Sequence, residues 1–407
     1  MIPALRARFN ASWTEARYQA MLAHLQAQTN AAIEFPVSET PCFFSRPLID
    51  RLADVGRDLI QQCSNGDAGA AAERAVPDRF RGAAASEPHP TFIQVDFGLI
   101  RTPGGEIEPK LVELQAFPSL YGFQMALVEA YCEAFEMPEG LERCLGGLTT
   151  AALRPLLQAA LTGDHDPSEV VLMEIEPQRQ KTRPDFVITE RLWGVRAVDT
   201  AEIVKQGRRL FYRRAGRLTP IRRIYNRVIP DELERKAVRL PFDYRDDLDV
   251  EWAGHPEWYF RISKFSIPWL RHESVPRTWF LHDVTELPLS REDVILKPLY
   301  SFAGGGIVFA PTEAQLAAIP AASRDQFILQ ERITFEPVVD TPHGPTQAEI
   351  RLMYVWIDRL RAVLPLVRMG RGRMMGVDHN KGLRWVGASA GLIASQGASG
   401  ASGASGA

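Results

Sequence analysis

Three groups of residues in this chain have types and spacings suited to chemistry. The first lies in Val294–Phe309, VILKPLYSFAGGGIVF. An apolar run ends in Lys297-Pro298, a loop of mostly small residues follows, and Gly304, Gly305 and Gly306 precede a second apolar run. Glycines let backbone N–H groups approach a ligand with no Cβ in the way. A lysine ammonium adds a point charge for phosphate. Here the lysine precedes the glycines and a strand follows them, so neither a P-loop nor a dinucleotide fingerprint is present. Two readings remain open: a hairpin that folds over a nucleotide, and a plain hairpin with a glycine bulge.

The second group lies in FIQVDFGLIRTPGGEIEPKLVELQAFPSLYGFQ, which begins at Phe92. A strand, a Thr102-Pro103-Gly104-Gly105 turn and a returning strand place Asp96 and Glu113 amid apolar residues. A carboxylate in a buried strand is costly unless it is paired or metal-bound. Glu113 and Gln115 are two apart and share a strand face. Asp96, Glu113 and Gln115 can therefore converge as oxygen ligands for Mg²⁺, which takes carboxylates together with substrate phosphates. The alternative pairs Glu113 with an arginine and leaves Asp96 at an exposed edge.

The third group is cationic. Arg222, Arg223 and Arg227 flank an apolar Ile-Tyr pair, and arginine forks suit carboxylates and phosphates. Arg223 and Arg227 are the candidate substrate contacts, with a salt-bridged edge strand as the alternative. Arg371 and Arg373 share a face if the chain there is extended, and Arg368 then points the other way.

These residues need elements to hold them. Residues 1–35 and Ile49 to Gln62 show helical periodicity, and residues 125–162 are helical. Val170 to Val198 reads as an α/β unit, whose ligands would sit beyond the carboxyl ends of its strands. Leu218 to Tyr225, Gln326 to Ile333 and Glu349 to Ile357 read as strands. Val363 to Val367 reads as an edge strand because of Pro365. From Gln396 onward the chain is a low-complexity Gly/Ala/Ser tail. The fold class is α/β.

The motifs D-F-G-L, turn, P-K-L-V-E-L-Q-A-F-P-S-L and then K-P…G-G-G resemble circularly permuted ATP-grasp enzymes, the glutathionylspermidine synthetase-like and glutathione synthetase-like ligases. That resemblance covers roughly residues 90 to 390. It implies ATP and Mg²⁺, with the metal on Asp96, Glu113 and Gln115. It places the nucleotide on Lys264, Lys297, Gly304, Gly305 and Gly306, with Gln330 and Glu331 at the adenine-side hinge. Arg351 then reaches the transferred phosphate. The implied reaction is ADP-forming carboxylate–amine ligation through an acyl phosphate. The carboxylate and amine substrates may be an amino acid, a peptide or a polyamine. A phosphotransferase, or a nucleotide-binding protein with a decayed site, is the alternative. Two positions depart from the family pattern: Gln115 stands for Asn and Gln94 for Arg. The implied organisation is a helical part at 1–90, a permuted segment with the metal hairpin at 91–150, a pre-ATP-grasp-like substrate domain at 151–235, nucleotide-binding subdomains at 236–395 and a tail at 396–407.

Composition narrows the partners. The 407 residues are 45% hydrophobic with a net charge of −3, so no global field favours nucleic acid. No apolar run approaches the ~20 residues of a membrane span. The four cysteines lack metal-type spacing, and a cytoplasmic setting is expected. No heptad or swap signal indicates an oligomeric state.

Overall fold

A computed structural model of the chain describes residues 1–30, 32–82, 87–301 and 304–394, excepting the side chains of 377 and 378. It is a mixed α/β architecture with four sheets. The main sheet has seven strands. Across it run Cys42–Ser45, Gly387–Ala394, Leu360–Gly370, Gln347–Trp356, Phe92–Arg101 and Ile107–Gln115, in that spatial order. Leu141–Glu142 pairs off the path against Gly387–Ala394.

Strand alternation decides what each face of this sheet does. Ile93, Val95, Phe97 and Leu99 point one way, together with Ile350, Leu352 and Tyr354 from the neighbouring strand. They meet Ile49, Leu52, Leu59 and Ile60 of the helix Arg46–Ser64, forming one core. On the opposite face Phe92, Met353, Val355, Leu364 and Leu366 pack with Leu153 and Leu157 of Thr150–Thr162 and with Phe186 of Arg183–Trp193. Between the apolar residues of that second face, Asp96, Glu349, Arg351 and Arg368 are polar.

The other sheets flank this one. Glu251–Ala253, Arg223–Asn226, Val170–Glu174 and Arg196–Asp199 form a parallel sheet. Thr278–Phe280, Phe327–Glu331, Val294–Pro298 and Val308–Phe309 form an antiparallel one. A three-stranded sheet of Val204–Gln206, Arg209–Arg214 and Arg217–Ile221 completes the set. Among the described residues no helix is long and apolar enough to cross a membrane.

Three local expectations change. The helical N-terminal part also contributes a strand, Cys42–Ser45, parallel to Gly387–Ala394. The run Leu218 to Tyr225 is two strands in different sheets, broken between Ile221 and Arg223. Pro365 lies in an interior strand, not at an edge. Its missing N–H is tolerated because the ladder to the next strand pairs Leu366 to Met369 and stops before the proline. The tail from 395 and residues 302 and 303 of the Gly-rich loop lie outside the described residues.

The helix Arg46–Ser64 seats on the sheet through Gly56 and Tyr354. The Tyr354 hydroxyl donates to Ala53 O at 2.9 Å. A Cβ on Gly56 would collide with that hydroxyl. We expect Gly56→Ala to cost about 1–3 kcal/mol in urea unfolding, the usual range for overpacking. Adding Tyr354→Phe should recover part of the loss, and a double variant no more stable than the single one would contradict this packing.

Candidate functional site

The site begins as a register argument. Asp96 lies opposite Glu113 on one side and Arg351 on the other. Gln94 lies opposite Gln115, and Glu349 lies between Gly98 and Arg368. These pairings put Gln94, Asp96, Glu113, Gln115, Glu349, Arg351 and Arg368 on one face across four neighbouring strands.

Asp96 is 1% exposed. Arg351 donates to it twice, Nε to Oδ1 and Nη2 to Oδ2, both at 2.6 Å. Arg368 Nη2 donates to the same Oδ2 and also pairs with Glu349. Glu113 has only longer contacts, 3.7 Å to Arg351 Nη2 and 3.8 Å to Lys264 Nζ. Gln115 Nε2 donates to Gln94 Oε1 at 2.9 Å, and Gln94 Nε2 donates to Ser119 O at 2.7 Å. The alternative of an exposed Asp96 is therefore excluded by its burial between two guanidiniums.

Two lysines reach this face from other segments. Lys264 opens the short 3-10 helix Lys264–Trp269 and donates to Ser301 O at 2.8 Å, where the Gly-rich loop begins. Lys297, on the small antiparallel sheet, donates to Gln330 Oε1 at 2.5 Å and to Val112 O at 3.2 Å. Val112 is the residue before Glu113, so Lys297 ties the small sheet to the carboxylate hairpin. Glycine is required in the loop itself. Gly304 and Gly306 have φ of +75° and +72°. A Cβ on Gly304 would strike Met374, just past the Arg368 strand, and one on Gly306 would lie 2.7 Å from Pro298 Cγ. The loop thus reaches from the small sheet to the main one.

Burial sets the protonation. It would push the Asp96 carboxyl up, but Arg351 and Arg368 hold it below its ordinary value. Burial pushes Glu349 up to about 7 against the pull of Arg368, with Asp96 and Glu113 adding to the rise. Burial also pushes Lys297 down to about 8, with Glu113 opposing and Lys264 reinforcing the shift. Three carboxylates thus face four cationic side chains, a balance that favours an added anion.

Among the described residues no cluster of three or more His, Cys, Asp or Glu side chains is gathered for a metal. The donor set that does fit a hard cation is smaller. Glu113 is bound only loosely, the Gln115 amide oxygen is not used by Gln94, and Asp96 must first give up an arginine.

The remaining candidates divide. Arg227 is 3% exposed at the carboxyl end of the parallel sheet, next to Asn226. It donates to Pro118 O and, at 3.4 Å, to Thr182 Oγ1. Pro118 adjoins Ser119, the partner of Gln94, so Arg227 borders the polar face. Burial pushes the nearby Glu174 carboxyl up to about 8, with Arg227 opposing. Arg223 is not brought to the site. It stands at the other end of its strand, paired with Glu251 at 2.7 Å, and donates to Leu161 O and Ala160 O at 3.1 and 3.2 Å. Its fork closes the end of the helix Thr150–Thr162. Glu331 is paired with Arg277, Nε to Oε2 at 3.1 Å. Arg371 turns away to Thr346 Oγ1 at 3.1 Å and Arg384 O at 2.8 Å. Glu349 was missed by sequence reasoning, and Arg368, expected to point away from Arg371, does so and reaches Asp96. The available signal for Glu349 was its parity with Arg351 in EIRLMYVWI. A separate cleft of about 1310 Å³, walled by Tyr259, Phe265, Trp269, Phe280 and Tyr300, contains none of the polar-face residues.

Breaking a buried pair leaves an uncompensated charge. We expect Arg351→Met to destabilise the fold by ~3 kcal/mol, the low end of that range, since Arg368 stays on Asp96. The sign of the pH effect follows from the lowered Asp96 pKa. Its contribution is present above the ordinary carboxylate value near ~4 and is lost as pH falls below it toward the depressed folded value. Acid unfolding should therefore begin at higher pH in the variant. Coincident acid-unfolding curves for the two proteins would contradict the pair. No family model and no curated protein matches the sequence. Among solved structures the chain is similar to a glutathione synthetase-like effector from Globodera pallida in its apo form, with 12% identity and a TM-score of 0.55 over 87% of this chain and 93% of the other. At that identity the likeness concerns the fold, which is thus similar to that of a glutathione synthetase-like protein.

Proposed function

We propose that this chain is an ATP-dependent carboxylate–amine ligase, ADP-forming, on a circularly permuted ATP-grasp fold. The observation that carries the reading is the convergence of Lys264 and Lys297, from two separate segments, on the hairpin that bears Asp96, Glu113 and Gln115. The glutathione synthetase-like fold supports it.

In this reading the protein's work is positioning and charge. Lys264, Lys297 and the amides of Gly304, Gly305 and Gly306 hold the triphosphate. Gln330 and Glu331 border the base and sugar. Glu113, Gln115 and Asp96 would hold Mg²⁺, which when bound would neutralise triphosphate charge. Arg351 leaves Asp96 to stabilise the phosphoryl group in transfer. Arg227 orients the acid at the end of the parallel sheet. The acid's carboxylate attacks the γ-phosphorus with loss of ADP, and the amine then displaces phosphate from the acyl phosphate. The loop between the sheets excludes water, which would otherwise hydrolyse that intermediate.

Calorimetric titration with ATP and Mg²⁺ should show binding to the wild type that is lost in Lys297→Ala. Glu113→Ala should abolish ATP consumption with its circular dichroism unchanged, and unchanged turnover in that variant would sink the metal assignment. A proton count adds an independent check. Burial pushes the Lys297 ammonium down to about 8, and a triphosphate beside it would raise that value. Binding a little above this pH should therefore take up protons, so the heat should vary with buffer ionisation enthalpy. A buffer-independent heat would contradict contact with Lys297.

A further inference from the structure

Both oxygens of Asp96 accept hydrogen bonds from arginine. Oδ1 accepts from Arg351, and Oδ2 accepts from Arg351 and Arg368. A divalent cation on this carboxylate would lie beside two guanidinium charges, and like charges at that range in a buried site repel strongly. The triphosphate changes the balance, since it offers anionic oxygens that arginine forks prefer. Arg351 then has a new partner. Arg368 needs one as well, and the structure already supplies it. Its Nη2 bridges Asp96 and Glu349, which lies directly opposite it in strand register. Glu349 is 6% exposed, so this is a buried exchange of partners and not a surface contact. Arg368 Nε has no partner among the described residues, so the fork is not locked by further bonds.

We infer that Glu349 is a positioning residue that retains Arg368 when Asp96 releases it, so that metal enters only together with the triphosphate. The inference rests on the proposed nucleotide reading. Without Glu349, Arg368 would stay on Asp96 and oppose the metal. Without Arg368, part of the barrier to free metal would be gone.

The test uses Mn²⁺ as a paramagnetic probe with the full chain, followed by electron paramagnetic resonance, with and without a non-hydrolysable ATP analogue. Wild type should take up Mn²⁺ tightly only with the analogue. Arg368→Met should bind Mn²⁺ without the analogue, more tightly than wild type by ~10–100-fold, the usual reach of a residue that acts through a metal ligand. Glu349→Gln should weaken Mn²⁺ in the presence of the analogue by a similar ~10–100-fold while analogue affinity without metal stays unchanged. That unchanged affinity separates loss of positioning from loss of fold. Should Glu349→Gln not fold, Glu349→Asp takes its place with the same expected weakening, because its shorter arm no longer holds Arg368. Wild type binding free Mn²⁺ as tightly as Arg368→Met, or folded Glu349→Gln matching wild type in the ternary complex, overturns the inference and leaves the nucleotide reading standing. Failure of wild type to bind the analogue with or without Mn²⁺ overturns both.

Discussion

A carboxylate buried in the middle of a sheet cannot stand alone, and the arrangement around Asp96 follows from that constraint. Two neighbouring strands supply the arginines, each from a position that the register makes inevitable once Asp96 points to this face. Glu349 and Glu113 then answer the excess of positive charge. Breaking such a cluster costs far more than its net contribution to stability, so its presence in the main sheet is weak evidence for a stabilising role.

A small antiparallel sheet borders this cluster. The small antiparallel sheet could be a satellite with its own core of Leu281, Leu296 and Leu329. Phe280 and Ile328 of the same sheet instead join the main core, and Lys297 adds a bond to Val112 O on the carboxylate hairpin. The loop's left-handed glycines close the connection against Pro298 and Met374. Cations beside loosely held carboxylate and amide oxygens suit a phosphate chain with a hard metal.

Much of this was legible from local pattern. Period-two alternation placed Glu113 and Gln115 together, and the Lys-Pro…Gly-Gly-Gly order marked a strand, loop and strand without a following helix. What local pattern could not show was partnership over long range. Asp96 and Arg351 are 255 residues apart, and nothing in either segment announces that they pair. The parity of Arg368 against Arg371 set its direction but not its partner, and Pro365 wrongly suggested an edge for a strand that lies inside the sheet. A register shift between Met353 and Tyr354 further displaces the pairing from simple counting. Arg223 and Arg227 looked alike in sequence but stand at opposite ends of one short strand, and only Arg227 borders the polar face.

The most direct measurement is a crystal structure of the chain with Mg²⁺ and a non-hydrolysable ATP analogue. The account requires the triphosphate between Lys264 and Lys297, metal on Glu113 and Asp96, and the Arg351 fork turned from Asp96 to the terminal phosphate. Nucleotide bound instead in the aromatic cleft beside Trp269, with Arg351 and Arg368 still on Asp96, would contradict it.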